Sequence, residues 1–217
     1  NWLPYAAVLM IATFFIANHD LFHWTHSALF DKVSPEYDKI IDGKGAFFYW
    51  PMAKGTFPVF YIFRMVLFFG FWVFFFNKLK SLSYAEDSLG GSTSWYKIRS
   101  MSAFFIIFFA VSSSIAAWDW IMSIDTHWFS TLFGWYVFSS WFVAGLSAMT
   151  LLTIFLKGEG YLEMVNENHI HDLGKFVFGF TIFWTYLWFS QFLLIYYANI
   201  PEESVYFIER LSSDVYG

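Results

Sequence analysis

The chain has 217 residues, 58% of them hydrophobic, 26% aromatic and only 13% charged, with a formal net charge of −5 and no Cys. So much apolar side chain exceeds what one soluble core of this size can hide, and the composition excludes disorder, collagen-like fibres and disulfide scaffolds. Without Cys there are no thiolate metal sites, iron–sulfur ligands or Cys nucleophiles, and without a basic run there is no footprint for nucleic acid.

The remaining class is an integral membrane protein, and five apolar runs carry it. They cover Trp2–Asn18, Thr56–Asn77, Ser100–Trp118, Trp128–Leu156 and Phe176–Ile200. Each approaches or exceeds the roughly 20 residues that cross a hydrocarbon core of about 30 Å. The runs are apolar on all sides rather than alternating, so the predicted fold class is all-α, a polytopic transmembrane helical bundle, and not a β-barrel. Residues 1–217 read as one transmembrane domain with an extramembrane loop at 19–55. The first run has no basic flank and no small-residue cleavage site, so it is not read as a signal peptide. The chain opens on Asn1-Trp2-Leu3 and stops at Ser213-Asp214-Val215-Tyr216-Gly217, and is expected to be part of a longer protein.

End signals follow in chain order. Asp125-Thr126 is expected to cap the fourth run and Lys157-Gly158 to end it. Asp172 is expected to cap the fifth run and Pro201 to stop it. Trp118, Trp120 and Trp128 read as an interfacial belt. Ser88-Leu89-Gly90-Gly91-Ser92 reads as a flexible connection. Ser112-Ser113-Ser114, Ser139-Ser140 and Gly145-x-x-Ala148 read as close-packing positions, with hydroxyls able to support a proton wire.

Orientation follows from Lys and Arg beside the helix ends. Lys78, Lys80, Lys97, Arg99, Lys157 and Lys175 lie close to the membrane in loops 78–99 and 157–175. Lys32, Lys39, Lys44, Lys54 and Arg210 on the other side lie mostly farther away, among acids. Loops 78–99 and 157–175 are therefore expected in the cytoplasm, with the tail outside.

The polar residues at membrane depth are the candidates for function. Arg64 lies about 8 residues, or about 12 Å, inside its run, near the midplane, where an arginine costs at least about 2.5 kcal/mol. It calls either for a functional partner (an anion, a quinone carbonyl or a proton-carrying acid) or for a structural bridge to an acid on the next helix. Asp119, Asp125 and His127 bracket a short tryptophan-walled turn, which suits proton handling or a quinol-facing edge; for Asp125 helix capping is the plainer reading.

His19, His23 and His26 are spaced to share one face if the first helix continues outward. Haem would need a second axial histidine within another apolar run, and none exists, so an interfacial or subunit-contact cluster is the preferred reading over metal. His169, His171 and Asp172 fit a proton mouth or capping, since an i, i+2 pair does not share a helix face. Gln191 is placed to bond across helices. Phosphate-binding, zinc-protease and nucleophile-elbow motifs are missing from the sequence, so chemistry here means redox partners or proton movement.

Two long strings carry a resemblance. One runs Asp119-Trp120-Ile121-Met122-Ser123 to His127-Trp128-Phe129-Ser130-Thr131-Leu132-Phe133-Gly134. The other runs His171-Asp172-Leu173-Gly174-Lys175 through Trp188-Phe189-Ser190-Gln191 to Tyr197-Ala198-Asn199-Ile200-Pro201-Glu202-Glu203. With Phe22-His23-Trp24-Thr25-His26, they resemble the ActF membrane subunits of bacterial alternative complex III, which are similar to NrfD/PsrC-type quinol-interacting subunits.

The resemblance implies a multi-pass subunit of the bacterial inner membrane, without a metal cofactor of its own, in a complex that oxidises quinol (menaquinol or ubiquinol). Electrons would pass through iron–sulfur and c-type haem partner subunits to a cytochrome c or a terminal oxidase, with a second NrfD-like membrane subunit alongside and lipids around. Full-length members have about twice as many helices. This chain would supply scaffold, a quinol site and a proton path; a proton- or ion-translocating transporter and a purely structural anchor are the alternatives.

Overall fold

The structure, a computed structural model, describes residues 2–89 and 92–211. The Gly90-Gly91 pair of the expected flexible connection and the terminal 213–217 lie outside these residues. The fold is all-α: α1 (Leu3–Leu21), α2 (Lys39–Tyr49), α3 (Val59–Leu89), α4 (Thr93–Trp120), α5 (Leu132–Gly158), α6 (Glu167–Ala198) and α7 (Pro201–Leu211). Among the described residues, α1, α3, α4, α5 and α6 are long and apolar enough to cross a membrane. The chain divides into two compact units, Asn1–His127 and Trp128–Gly217, where the sequence reads as one domain.

In the first unit α3 and α4 form the main antiparallel pair, with α1 and α2 packed on α3. Large apolar side chains such as Phe63, Val66, Phe104, Ile106 and Ile107 remain exposed on the pair, as a lipid-facing surface requires. Inside, Trp72 Nε1 donates to Ser112 Oγ at 2.9 Å, and Phe69 stacks on Trp120 at 4.8 Å. Ser112 and Ser113 are buried, as close-packing positions should be, and so is Ser139 in the second unit. Gly145 and Ala148 are instead exposed, with open space where a Gly145 Cβ would lie, so that pair is not a close-packing position among the described residues.

The 19–55 segment is far more ordered than a loop. Two 3-10 turns, His23–Thr25 and Ser27–Phe30, lead to α2. Asp38 starts α2: its Oδ1 accepts the amides of Ile40 (2.8 Å) and Ile41 (3.1 Å). Trp24 is fully buried and stacks on Phe48 at 4.0 Å, and its carbonyl accepts the Tyr49 hydroxyl at 3.1 Å. Burial pushes that hydroxyl's pKa up to about 12. Phe14 of α1, Phe22 and Tyr61 of α3 complete the cluster. Gly55 sits at φ +76°, and a Cβ there would lie 3.1 Å from the Ser27 backbone, so glycine is required. Lys54 Nζ closes the segment on Asp42 Oδ1 at 2.6 Å.

In the second unit α5 and α6 form a long hairpin. Phe142 meets Phe180 at 4.5 Å and Tyr136 stacks on Trp184 at 5.8 Å. Phe207 of α7 lies buried against Phe192, 5.4 Å away. Trp128 stacks on Tyr206 at 3.9 Å, and the Arg210 guanidinium covers Tyr206 at 3.5 Å.

Several expected ends shift. The helices outrun the apolar runs because an apolar run marks the part needing lipid, while a helix continues into water wherever its backbone bonds are satisfied. Thus α3 continues to Leu89 and α4 begins at Thr93, so most of 78–99 is helix. Asp172 does not cap α6: the helix starts five residues earlier at Glu167, where Asn166 and His169 form a reciprocal capping box. Pro201 stops nothing. α6 ends at Ala198 with Asn199 in the left-handed conformation, and Pro201 then opens α7, where its missing amide costs no helical bond. Asp125-Thr126 does not cap α5, which begins at Leu132; Thr126 instead bonds back to Ser123. Lys157-Gly158 does close α5.

Candidate functional site

The first unit builds its polar centre where α3 begins and α4 ends. Arg64 lies five residues into α3, about 7.5 Å from its start, so it sits near one end of that helix and not at its middle. The expected depth was too great because α3 starts at Val59, just after Pro58, rather than at Thr56. Asp119 is the penultimate residue of α4. Antiparallel packing brings the two together as a two-pronged ion pair: Arg64 Nε donates to Asp119 Oδ2 at 2.7 Å, and Nη2 to Oδ1 at 2.7 Å. Arg64 is 6% exposed and Asp119 0%. The guanidinium also lies over the Phe47 ring (4.1 Å) and the Phe60 ring (4.4 Å), which exclude water from it.

The pair leaves polar capacity over. Among the described residues Arg64 Nη1 is buried with no acceptor, and the buried Tyr61 hydroxyl has no partner either. Tyr61 and Arg64 are three residues apart and share a face of α3. Two orphaned donors beside a buried carboxylate are costly unless a water or a ligand oxygen meets them.

A chain of polar groups leads from Asp119 to the surface. The buried Ser123 hydroxyl donates to the Asp119 carbonyl. Thr126 Oγ1 donates to the Ser123 carbonyl at 3.2 Å, and Lys44 Nζ donates to the Thr126 carbonyl at 2.5 Å. Half-burial lowers the Lys44 pKa, while Asp125 and Asp38 oppose the shift. His127 Nε2 lies 2.5 Å from Asp38 Oδ2. Asp38 therefore caps α2 with one oxygen and holds His127 with the other. Burial raises its pKa, but the bonds from His127 and from the Ile41 and Ile40 amides outweigh this and leave it lowered.

The sign of that shift fixes a pH dependence. A lowered folded-state pKa adds stability that is complete above the ordinary value of 3.8 and is lost as the pH falls through the lowered one. Amide exchange of Ile40 and Ile41 should stay protected from neutral pH down to mild acid and open below that. Asp38→Asn, which keeps the cap but weakens the hold on His127, should flatten the acid step. An unchanged acid step in Asp38→Asn would break the assignment.

The other candidates lie elsewhere. His19, His23 and His26 do gather, with His19 and His26 rings 5.0 Å apart and His23 and His26 5.5 Å apart. They do so through the turn after Leu21 and not along one helix face, because α1 ends there. His26 Nε2 meets the His19 carbonyl at 3.1 Å and His19 Nδ1 meets Thr25 Oγ1 at 3.2 Å, so two of the rings serve the turn. Among the described residues no three His, Asp or Glu side chains are grouped to hold a metal ion.

In the second unit His169 caps α6 and Asp172 pairs with Lys175 at 3.1 Å on the surface; His171 is exposed. Gln191 is buried, but its amide nitrogen makes no cross-helix bond among the described residues. Sequence reasoning missed Tyr61, Lys44, Asp38 and Ser123. Tyr61, three residues before Arg64, and Ser123, four residues after Asp119, carried a signal by spacing; Lys44 and Asp38 join the site through folding of the 19–55 segment. Compared with family models and with curated proteins, the chain matches neither.

Proposed function

We propose that the chain is a membrane subunit of a bacterial quinol-oxidising respiratory complex of the alternative complex III type. In this reading it is an ActF-like, NrfD/PsrC-related subunit that supplies scaffold, a quinol-linked polar centre and a proton path. The observation that supports the reading is the buried Arg64–Asp119 pair with two donors, Arg64 Nη1 and Tyr61 OH, that find no partner among the described residues. The resemblance of the strings around Asp119–Gly134 and His171–Glu203 supplies the family.

Quinol oxidation releases two electrons and two protons. The electrons go to iron–sulfur and c-type haem partners, which this chain, without Cys, does not replace. The task left to it is charge: the orphaned donors of Tyr61 and Arg64 would hold a quinol oxygen or a water, and Asp119 would balance the cation. Ser123, Thr126, Lys44, Asp38 and His127 then line the way to the aqueous edge. The test is quinol:acceptor turnover in assembled complex carrying Tyr61→Phe, which removes one orphaned hydroxyl and little else. A rate at least about tenfold lower is expected; the parental rate would count against a role for the orphaned donors.

A second reading, a structural anchor, is favoured by one feature: both Asp119 oxygens are already taken by Arg64. It makes Arg64 and Asp119 dispensable to turnover, provided the bundle still folds.

The reading includes a place, the inner membrane, with 78–99 and 157–175 on the cytoplasmic side. Ser88→Cys and Glu163→Cys, each exposed, should both resist a membrane-impermeant thiol reagent in intact cells and react after lysis. Rapid labelling of both in intact cells would invert the orientation.

A further inference from the structure

The opposite end of the first unit, away from Arg64 and Asp119, holds a cavity of about 760 Å³. It opens sideways between α3 and α4, with Leu3 at the start of α1 on its rim. Its walls divide by depth. Trp72, Phe105 and Phe109 form the end nearer the membrane centre, and Lys80, Ser83 and Tyr84 form the end where α3 leaves the membrane. The only donor on Trp72 is already committed to Ser112. The inner half therefore offers apolar surface alone, and the polar atoms gather at the mouth.

Length and charge narrow the occupant. From Trp72 to Glu86 the cavity follows α3 for fourteen residues, about 21 Å. One leaflet, head groups included, measures about 20–22 Å, half of a bilayer of about 40–45 Å. The mouth carries both signs with a cationic excess: Lys80 and the carboxylate Glu86 line it, Lys78 is two residues from Lys80, Asp87 follows Glu86, and Lys97 and Arg99 flank the lining residue Ile98, four cations against two acids. Lys80 Nζ lies 5.4 Å from the Tyr84 ring centre, and Arg99 lies 5.6 Å from the ring of Trp95, so aromatic faces hold these cations at head-group level. A quinone ring would need polar partners in the inner half, where there are none. A neutral lipid would leave the cations unused.

We propose that this cleft is a binding site for one anionic phospholipid, its phosphate at Lys80 and one acyl chain along Trp72, Phe105 and Phe109. The second chain stays in the bilayer through the open side. The assignment needs only that the helices cross a membrane, and is independent of any quinol role.

Native mass spectrometry of the full chain in neutral detergent tests it, using phosphatidylglycerol and phosphatidylcholine of identical chains at equal concentration, with menaquinone as a third arm. One phosphatidylglycerol per chain should be retained, at least about fivefold over phosphatidylcholine, the factor one cation near a membrane surface confers. Lys80→Gln, at an exposed position that folding does not depend on, should cut that preference about fivefold. Ser102→Phe should fill the cleft and remove the retained lipid with the helical circular dichroism unchanged. Equal retention of the two lipids by the parental chain would overturn the proposal. So would menaquinone displacing phosphatidylglycerol, or a preference untouched by Lys80→Gln.

Discussion

Asp119→Ala should destabilise the first helical unit by about 3–5 kcal/mol, the usual cost of leaving one partner of a buried ion pair alone. The magnitude follows from the geometry: a 0% exposed carboxylate takes both prongs of a guanidinium that Phe47 and Phe60 shield from water. With the acid gone, the cation has no counter-charge and three buried donors instead of one. Arg64→Met alone should cost a similar amount, because it strands the carboxylate.

Removing both charges should cost far less than either, since apolar residues of similar volume often replace a buried pair at no loss. The double variant Arg64→Met/Asp119→Leu should therefore melt close to the parental temperature. Thermal unfolding of the parental protein, Asp119→Leu, Arg64→Met and the double variant in one detergent checks the cycle, since Asp119→Leu strands the cation as Asp119→Ala does. If the single losses simply add in the double variant, the two residues are not coupled and the reading of the pair fails.

Trp24→Ala should have the second-largest effect, about 3–5 kcal/mol. Trp24 is fully buried outside the spans, stacked on Phe48 and in ring contact with Phe14, Phe22, Tyr49 and Tyr61. Its loss opens a cavity at the centre of the aromatic packing that holds 19–55 against α1 and α3. Proteolysis should then cut within 19–55 while the spanning helices stay intact. A 19–55 segment that resists protease as well as the parental one would show that the cluster is not what orders it.

How much of this was legible in the sequence depends on the physics behind each part. The five spans were, because lipid imposes a length and a composition that no other environment does. Arg64 and Asp119 stood out for the same reason, and two facing helix ends were enough to suggest they could meet. The depth of Arg64 was misplaced because an apolar run does not report where its helix starts. The helix ends were misjudged at Asp125, Asp172 and Pro201 because a capping residue signals a boundary only to a helix that begins there.

What stayed hidden is tertiary. Lys44 and Asp38 are unremarkable charges in a mixed segment, and they meet Thr126 and His127 of the 119–127 turn only once Trp24, Phe48 and Tyr49 have packed. Gln191 shows the reverse case: a polar residue in an apolar run pointed to a cross-helix bond, and its buried amide nitrogen makes none among the described residues.

The stability cycle also supplies the most direct test of the central proposal, that the Arg64–Asp119 centre serves quinol or proton chemistry as well as folding. The measurement is quinol:acceptor turnover of the assembled complex carrying Arg64→Met/Asp119→Leu, from about pH 6 to 8, where histidine-linked proton exchange would show. A well-assembled complex at least about tenfold slower than the parental one is the expected result. Parental turnover across that range would contradict the proposal and leave the pair a structural bridge.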